Sequence, residues 1–297
     1  MKKTSSLLLF PVLCFLISIF FLAGCFEGKT VPVTVVKPEQ PAVIEPEPAV
    51  PDPEPPDTAG SDLPLVPQPE PPASSDSWYF QRNNLHQVPF VNENIKTRLN
   101  ANNAFYYLES SGRQIYLTFD EGYELGYTGQ ILDILKANDV KAIFFVTGHY
   151  IDSQPELVLR MKQEGHLVGN HTVNHPDLGI ADLGTITAEI TGLENKFTQL
   201  TGLPLDKYIR PPMGLYSDAS LAAAANLGYR TVFWSVAFND WDPNNQPGAE
   251  YSYQHVMDNI HPGAVILLHA VSQSNTEALN RIIKDLKEAG YEFRTFP

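Results

Sequence analysis

The sequence has 297 residues, 43% of them hydrophobic, and a formal net charge of −14 from 20 Lys and Arg against 34 Asp and Glu. This length and this hydrophobic fraction exclude a wholly disordered chain and suffice for one large or two small domains. The acidic balance argues against nucleic acid as a partner, because no broad face could neutralise phosphates. Both cysteines, Cys14 and Cys25, lie near the N-terminus, which excludes a disulfide-stapled fold.

Residues 1–25 have the pattern of a bacterial export signal. Lys2 and Lys3 precede an apolar run from Leu7 to Leu22, which is shorter than the roughly 20 residues that span a bilayer comfortably. The run leads into Leu-Ala-Gly-Cys, which resembles the lipobox of bacterial lipoproteins and implies cleavage before Cys25 and lipidation of its thiol. An uncleaved signal anchor is the alternative. Both interpretations place the rest of the chain outside the cytoplasm, anchored at the outer face of the cell membrane.

Residues 26–77 predict a disordered linker. Residues 30–77 hold 14 of the 25 prolines, and nine acidic residues against Lys37 alone give this stretch a charge of −8. Such a composition cannot pack a core and favours extended polyproline II structure. The segment is either a spacer that lifts a domain off the membrane or a solvated leader without a length requirement.

Residues 78–112 are polar with scattered aromatic side chains and weak periodicity. They predict an N-terminal extension that packs on the outside of the domain that follows. Trp78 is interpreted as an anchoring core aromatic, with a platform for wall sugars as the alternative.

From residue 113 to residue 297, short apolar runs alternate with helical segments. The predicted strands are Ile115–Phe119, Ala142–Thr147, Leu167–Gly169, Tyr208–Arg210, Thr231–Val236, Ala264–His269 and Tyr291–Thr295. The predicted helices lie near 129–138, 155–164, 182–201, 217–226, 253–259 and 275–289. This alternation predicts an α/β fold with a parallel sheet, and crossovers of this length favour a closed (β/α) barrel. Functional residues of such barrels gather at the carboxyl ends of the strands.

His171 and His175 are candidate metal ligands. Their spacing of four residues would place both imidazoles on one side of a helical turn, where they suit a divalent metal of the zinc type. Asp120 or Glu121, at the end of the first strand of this domain, could supply a third, carboxylate ligand. A metal held there would activate water as a nucleophile. Two surface histidines on a helix are the alternative.

Asp120 and Arg210 are candidates for a catalytic pair. Asp120 could accept a proton from water, or it could cap a turn. Arg210 precedes two prolines that hold it extended. Its guanidinium could keep a carboxylate ionised, or it could form a structural salt bridge at the barrel rim.

His269 ends an apolar strand and could be the acid that protonates a leaving amine, with Asp240 keeping it protonated. A satisfied core histidine is the alternative. Trp241 and Leu267 could form an apolar slot for a small acyl methyl group.

The ordered set of these motifs resembles the polysaccharide deacetylases, carbohydrate esterase family 4, over about residues 113–297. The motifs are Thr-Phe-Asp-Glu-Gly from Thr118, His-x-x-x-His from His171, Arg-Pro-Pro-x-Gly from Arg210, Asp240-Trp241 and Leu-Leu-His ending at His269. The resemblance implies a distorted seven-stranded (β/α) barrel. It also implies metal-dependent hydrolysis of an N-acetyl or O-acetyl group on a polysaccharide.

The resemblance also implies a role for each motif residue. It gives Asp120 as base, Arg210 as its orienting group, His171 and His175 as metal ligands, His269 as acid and the backbone amide of Met213 as an oxyanion donor. The substrate-binding candidates are Pro211, Met213, Gly214, Trp241 and Leu267. The implied cofactor is a divalent metal, Zn²⁺ in the first place, with Co²⁺, Mn²⁺ or Mg²⁺ as alternatives.

Two positions depart from the family pattern. The family usually has a second Asp after the base as a metal ligand, whereas this chain has Glu121, which is expected either to ligate at an altered geometry or to point away. The Asp-x-x-Asp-Trp motif has Ala237 in place of its first Asp.

A narrower likeness to the muramic δ-lactam branch lies in residues 121–129, 145–149 and 233–241, and the position of Glu121 is often not Asp in that branch. Those enzymes remove the acetyl group from N-acetylmuramic acid in peptidoglycan strands whose muramic acid has lost its peptide. The freed amine can then close a lactam, which marks spore cortex.

We therefore expect a membrane-tethered, monomeric peptidoglycan N-deacetylase that acts on the glycan strand. The alternatives are an N-acetylglucosamine or chitin deacetylase, an O-acetyl esterase, and a catalytically silent wall-binding lipoprotein.

Overall fold

The computed structural model describes residues 75–109 and 112–297. The predicted signal peptide, Cys25 and residues 26–74 of the predicted linker lie outside the described residues. Within the two described stretches, none of the helices combines the length and the hydropathy of a membrane span.

The described chain alternates strands and helices. The strands are β1 (Asp76–Ser77), β2 (Ala104–Phe105), β3 (Gln114–Glu121), β4 (Ile143–Val146), β5 (Leu167–Asn170), β6 (Tyr208–Ile209), β7 (Leu215–Tyr216), β8 (Arg230–Val232), β9 (Val265–His269) and β10 (Glu292–Phe293). The helices are α1 (Glu93–Ala101), α2 (Thr128–Ala137), α3 (Gly148–Ser153), α4 (Pro155–Gln163), α5 (Leu183–Thr201), α6 (Asp218–Asn226), α7 (Ala249–Asn259) and α8 (Gln273–Glu288). All seven predicted strands and six predicted helices occur, while β1, β2, β7, α1 and α3 were not predicted.

The main sheet is parallel throughout and curls into a half-barrel. Its strand order is β10-β3-β4-β5-β6-β8-β2, and β9 pairs with β3. The predicted strand Thr231–Val236 ends early, at Val232. Only one parallel bridge, between Val236 and Ile266, then links this segment to β9. The predicted α/β barrel is thus confirmed as a curled parallel sheet. Where the segment after β8 meets β9, the two are linked by one parallel bridge.

The alternation of side chains along β3 separates two hydrophobic layers. Ile115, Leu117 and Phe119 pack against the helices in the larger cluster of buried residues. Tyr116 belongs to a second cluster, built from strand residues inside the curl. Because successive side chains of a strand point to opposite faces, Asp120 lies on the inner face.

The N-terminal extension is more closely integrated into the domain than the sequence indicated. Asp76 and Ser77, assigned to the linker, form β1 and pair with β7. Strand β2 does not lie outside the domain, because it pairs with β8 in the main sheet. Trp78 is confirmed as a core aromatic. It is 7% exposed, and its ring stacks on Phe233 with 4.6 Å between the centroids.

The burial of Trp78 allows a direct test of how the extension contributes to stability. Trp78→Ala should lower the free energy of unfolding by about 3–5 kcal/mol, because it removes a buried ring and leaves a cavity. Tyr79→Ala is the matched control, since that neighbouring ring is 71% exposed, and it should change stability by less than about 0.5 kcal/mol. Urea unfolding followed by circular dichroism measures both. Equal losses in the two variants would contradict the assignment of Trp78 to the core.

Candidate active site

Asp120 and Arg210 form a buried ion pair at the carboxyl end of β3. Arg210 Nη1 donates to Asp120 Oδ1 over 2.7 Å, and Nη2 donates to Thr118 Oγ1 over 2.9 Å. The guanidinium is 0% exposed and lies 4.3 Å from the ring centre of Phe145. Burial by itself would raise the pKa of Asp120, but the positive charge of Arg210 outweighs it and holds that pKa below its usual value. Asp120 is therefore ionised.

His171 and His175 meet as predicted, but not on a helical turn. They lie in the loop after β5, where Thr172 and His175 have positive φ angles of 67° and 57°. The two ring centres are 4.8 Å apart at an interplanar angle of 73°. A strained loop, and not a helical turn, brings the two imidazoles together. The helical interpretation of their spacing was therefore wrong.

Buried polar residues hold this strained loop in place. Thr172 N–H donates to Asn170 Oδ1, and His175 N–H donates to Thr172 Oγ1. The carboxylate of Glu189, on α5, accepts from the backbone and side-chain amides of Asn174 at 2.8 and 2.6 Å. Glu189 was not predicted as a site residue, although its position within the predicted helix 182–201 was an available signal. These bonds offset the cost of positive φ at a β-branched residue.

The tautomer of His171 is determined by the strand segment beside it. Its Nδ1 donates to the carbonyl of Arg210 over 2.8 Å, which leaves the Nε2 lone pair 3.6 Å from Asp120 Oδ2. Burial lowers the pKa of His171 to about 4, although the negative charge of Asp120 opposes the shift. Burial also lowers the pKa of His175. Both imidazoles are therefore neutral and able to donate a lone pair.

Glu121 is not brought to the imidazoles. It follows Asp120 on β3 and therefore faces the helices. Its side chain is fully buried, with Oε2 accepting from Thr128 Oγ1 at 3.3 Å and Oε1 without a hydrogen-bond partner. Burial raises the pKa of Glu121 well above its usual value, and the nearby Glu124 adds to the shift.

His269 and Asp240 form a second ion pair at the end of β9. His269 Nδ1 donates to Asp240 Oδ1 over 2.7 Å, and the backbone N–H of His269 donates to Oδ2 over 2.9 Å. Burial by itself would lower the pKa of His269, but the charge and hydrogen bond of Asp240 outweigh it and raise the pKa. Asn275, which sequence analysis missed, also donates to Asp240 Oδ2, from the first turn of α8.

One member of each pair, Asp120 and His269, lines the same cavity of about 1170 Å³. Strand register explains why, since Asp120 lies directly beside His269 in the β3–β9 pair. Of the predicted substrate-binding residues, Met213, Gly214, Trp241 and Leu267 line this cavity, whereas Pro211 is not among its lining residues. Ala237, at the position where the family usually has Asp, also lines it.

The turn after Arg210 presents its backbone to this cavity. Met213 and Gly214 have positive φ angles of 57° and 68°, which is the left-handed conformation. A Cβ atom at Gly214 would lie 2.8 Å from the ring of Trp234, so the close approach of that ring also requires glycine.

The donor atoms of the site fit the chemistry of a divalent cation. Two neutral imidazoles and an ionised carboxylate are ligands that zinc-type metals prefer. Among the described residues, no group of three or more His, Cys, Asp and Glu side chains has a spacing that could hold a metal ion. The fit therefore rests on His171 and His175 with Asp120 beside them, and not on Glu121.

Comparisons with known proteins agree with this geometry. Residues 108–232 match the sequence family described as polysaccharide deacetylase. The chain is 45% identical over 219 residues to the peptidoglycan-N-acetylmuramic acid deacetylase PdaA of Bacillus subtilis, covering 74% of this chain and 83% of PdaA. The solved structure of PdaA, a family 4 carbohydrate esterase, superimposes with a TM-score of 0.72 and covers 74% of this chain and 94% of that one.

Two further relatives come from other Bacillus species. A family 4 carbohydrate esterase from Bacillus anthracis is 42% identical with a TM-score of 0.63, covering 74% of this chain and 93% of its own. A peptidoglycan-N-acetylglucosamine deacetylase of Bacillus cereus is 37% identical over 188 residues, covering 62% of this chain and 67% of that protein. On the strength of these matches, the chain belongs to the polysaccharide deacetylase family, carbohydrate esterase family 4.

Proposed function

We propose that this deacetylase removes the N-acetyl group from N-acetylmuramic acid in peptidoglycan, outside the cytoplasm. The observation that carries the proposal is that Asp120, paired with Arg210, and His269, paired with Asp240, lie side by side at the ends of neighbouring strands and line one cavity. The 45% identity to PdaA, a peptidoglycan-N-acetylmuramic acid deacetylase, supports muramic acid as the deacetylated sugar.

Asp120 is the base that accepts the proton of the attacking water. Arg210 binds Oδ1 and keeps the carboxylate ionised, which leaves Oδ2 available for the proton. Arg210 is itself held by Thr118 and by the carbonyl of Val232, so it acts as a positioning residue for the base.

His171 and His175 would hold a divalent cation, Zn²⁺ or alternatively Co²⁺, Mn²⁺ or Mg²⁺, with Asp120 as the neighbouring carboxylate. When bound, such a cation supplies Lewis-acid polarisation of the acetamide carbonyl. The backbone amide of Met213, in the turn at the cavity edge, is the proposed donor to the oxyanion of the tetrahedral intermediate.

His269 is the acid that protonates the departing amine. Asp240 accepts from Nδ1 and raises the pKa of the ring, so that Nε2 carries the proton to be transferred. The carbon–nitrogen bond then breaks, acetate leaves, and the amine stays on the sugar. Amide hydrolysis at enzymatic rates requires the barrier to fall by about 8 kcal/mol or more, which base, acid and oxyanion donors supply together.

The product would be a muramic acid with a free amine beside its lactyl carboxylate. In strands whose muramic acid carries no peptide, condensation of that amine with the lactyl carboxyl group would break its carbon–oxygen bond, release one water molecule and close a δ-lactam, as in spore cortex. Lipidation at Cys25 would hold the enzyme at the outer face of the membrane, and the acidic, proline-rich linker would let the domain reach the wall.

The identity of the sugar is tested directly by mass spectrometry. We expect the purified protein to release acetate from peptide-free peptidoglycan glycan, and the muramidase fragments to have lost an acetyl group on muramic acid. Chitooligosaccharide is the control substrate, because it contains only N-acetylglucosamine. Loss of the acetyl group from glucosamine alone would replace the proposal with the N-acetylglucosamine alternative.

The roles of Asp120 and His171 are tested by substitution. Asp120→Asn and His171→Ala should each lower acetate release by at least about 100-fold, since one variant lacks the base and the other lacks an imidazole of the cation pair. The zinc content of His171→Ala should also fall.

Asp152→Asn is the matched control, because this carboxylate lines the same cavity but is bound by Lys196. It should keep most of the activity. Melting temperatures must be compared as well, because Asp120→Asn leaves the buried guanidinium of Arg210 without its carboxylate. Full activity in either active-site variant would rule out this mechanism.

The pH profile tests the pairing of His269 with Asp240. The carboxylate of Asp240 raises the pKa of His269, so Asp240→Asn should lower that pKa. The protonated acid would then be lost at lower pH, and the alkaline limb of the kcat profile should move to lower pH. Asp258→Asn, an exposed change on α7, should leave the limb in place. An unchanged limb in Asp240→Asn would contradict the assignment of His269 as acid.

A further inference from the structure

Two residues of the cavity lining belong to the strap, which is residues 78–91 of the N-terminal extension. Trp78 N–H donates to the carbonyl of Gly214 over 2.8 Å, and its indole N–H donates to the carbonyl of Trp234 over 3.0 Å. Further along, His86 Nδ1 donates to the carbonyl of Ile260 over 2.8 Å. Between these attachments, Phe80 and Arg82 line the cavity. The strap therefore brings side chains from outside the barrel to the substrate.

Within residues 75–109 and 112–297, Arg82 is a cation of the cavity lining without a salt-bridge partner. Two carboxylates line it, and each has a basic partner: Arg210 binds Asp120, and Lys196 binds Asp152 with two contacts of 2.8 Å. Arg82, the other Lys or Arg side chain of the lining, forms no salt bridge within the described residues. Its guanidinium lies 6.0 Å from the ring centre of Phe80. Burial lowers the pKa of His255 on α7, and the positive charge of Arg82 lowers it further.

An uncompensated guanidinium at a substrate cavity favours an anionic group on the substrate. Guanidinium binds carboxylate through two parallel hydrogen bonds, which adds geometric selection to the charge. The chain as a whole has a net charge of −14, so it repels an acidic glycan except where a local cation offsets the repulsion. In peptidoglycan glycan, the ionisable group of the sugar backbone is the lactyl carboxylate of muramic acid.

We infer that Arg82 binds the lactyl carboxylate of a muramic acid residue in the bound strand and selects strands whose muramic acid is free of peptide. This inference rests on the proposed function and adds a specificity-determining residue to it. A peptide stem converts this carboxylate into a neutral amide and adds bulk, so both the charge and the fit at Arg82 are lost. N-acetylglucosamine has no carboxylate and gains nothing from Arg82.

The experiment compares two glycans that differ only at this group. Peptide-free peptidoglycan glycan is used as isolated, and in a second sample its lactyl carboxylates are converted to methylamides. Binding is measured by calorimetry on Asp120→Asn protein, so that no turnover occurs. We expect the carboxylate form to bind about tenfold more tightly than the amide form, and Arg82→Gln to abolish this preference by weakening only the carboxylate form. Arg82→Lys should retain part of it.

Lys196→Gln is the matched control, because it removes a cation of the same cavity that is already neutralised by Asp152. It should keep the preference for the carboxylate form. Equal binding of the two glycans to the parent protein, or a loss in Arg82→Gln that is the same for both, would overturn the inference. The proposed function is tested separately, by the turnover assay. If that function is wrong, muramic acid keeps its acetyl group in the assay, whatever the binding preference.

Discussion

The buried ion pair between Asp120 and Arg210 is the constraint on which the site depends. Arg210 follows β6, yet its guanidinium reaches Thr118 and Asp120 on β3 and the carbonyl of Val232 on β8. It thereby joins three strands across the inside of the curled sheet. Two charges are buried there at a considerable desolvation cost, and additional hydrogen bonds and aromatic neighbours offset that cost. These hydrogen bonds hold the carboxylate of Asp120 in one orientation.

The titratable groups of the site differ in the direction of their pKa shifts because each lies in a different environment. A guanidinium lowers the pKa of Asp120, while a carboxylate raises that of His269. Burial keeps His171 and His175 neutral. These opposite shifts of the pKa values of Asp120 and His269 are those that the proposed base and acid require near neutral pH, and neutral imidazoles are the form that coordinates a cation. The same cavity therefore holds the proposed base, the proposed acid and two neutral imidazoles, each with a different protonation state.

Several parts of the site were predictable from sequence because strand ends of a parallel sheet meet at one rim. Asp120 and His269 could be placed together in this way, and Arg210 was recognised by the two prolines after it. The local geometry of His171 and His175 was not predictable, because spacing alone does not distinguish a helical turn from a strained loop. That loop is stabilised by Glu189 on α5, the next helix of the chain, through a contact with Asn174 that its side-chain geometry and not the spacing decides.

The sequence by itself determined the alternation of strands and helices, the order of the motifs and the acidic leader, because these depend on local composition and periodicity. Only the tertiary structure decided that Glu121 turns its carboxylate to the helices while Asp120 faces the cavity. Only the tertiary structure decided that Arg82 lies at the cavity without a salt-bridge partner among the described residues. The physical reason is that strand register and long-range packing, which no local pattern encodes, determine which face a side chain occupies and which charges it meets.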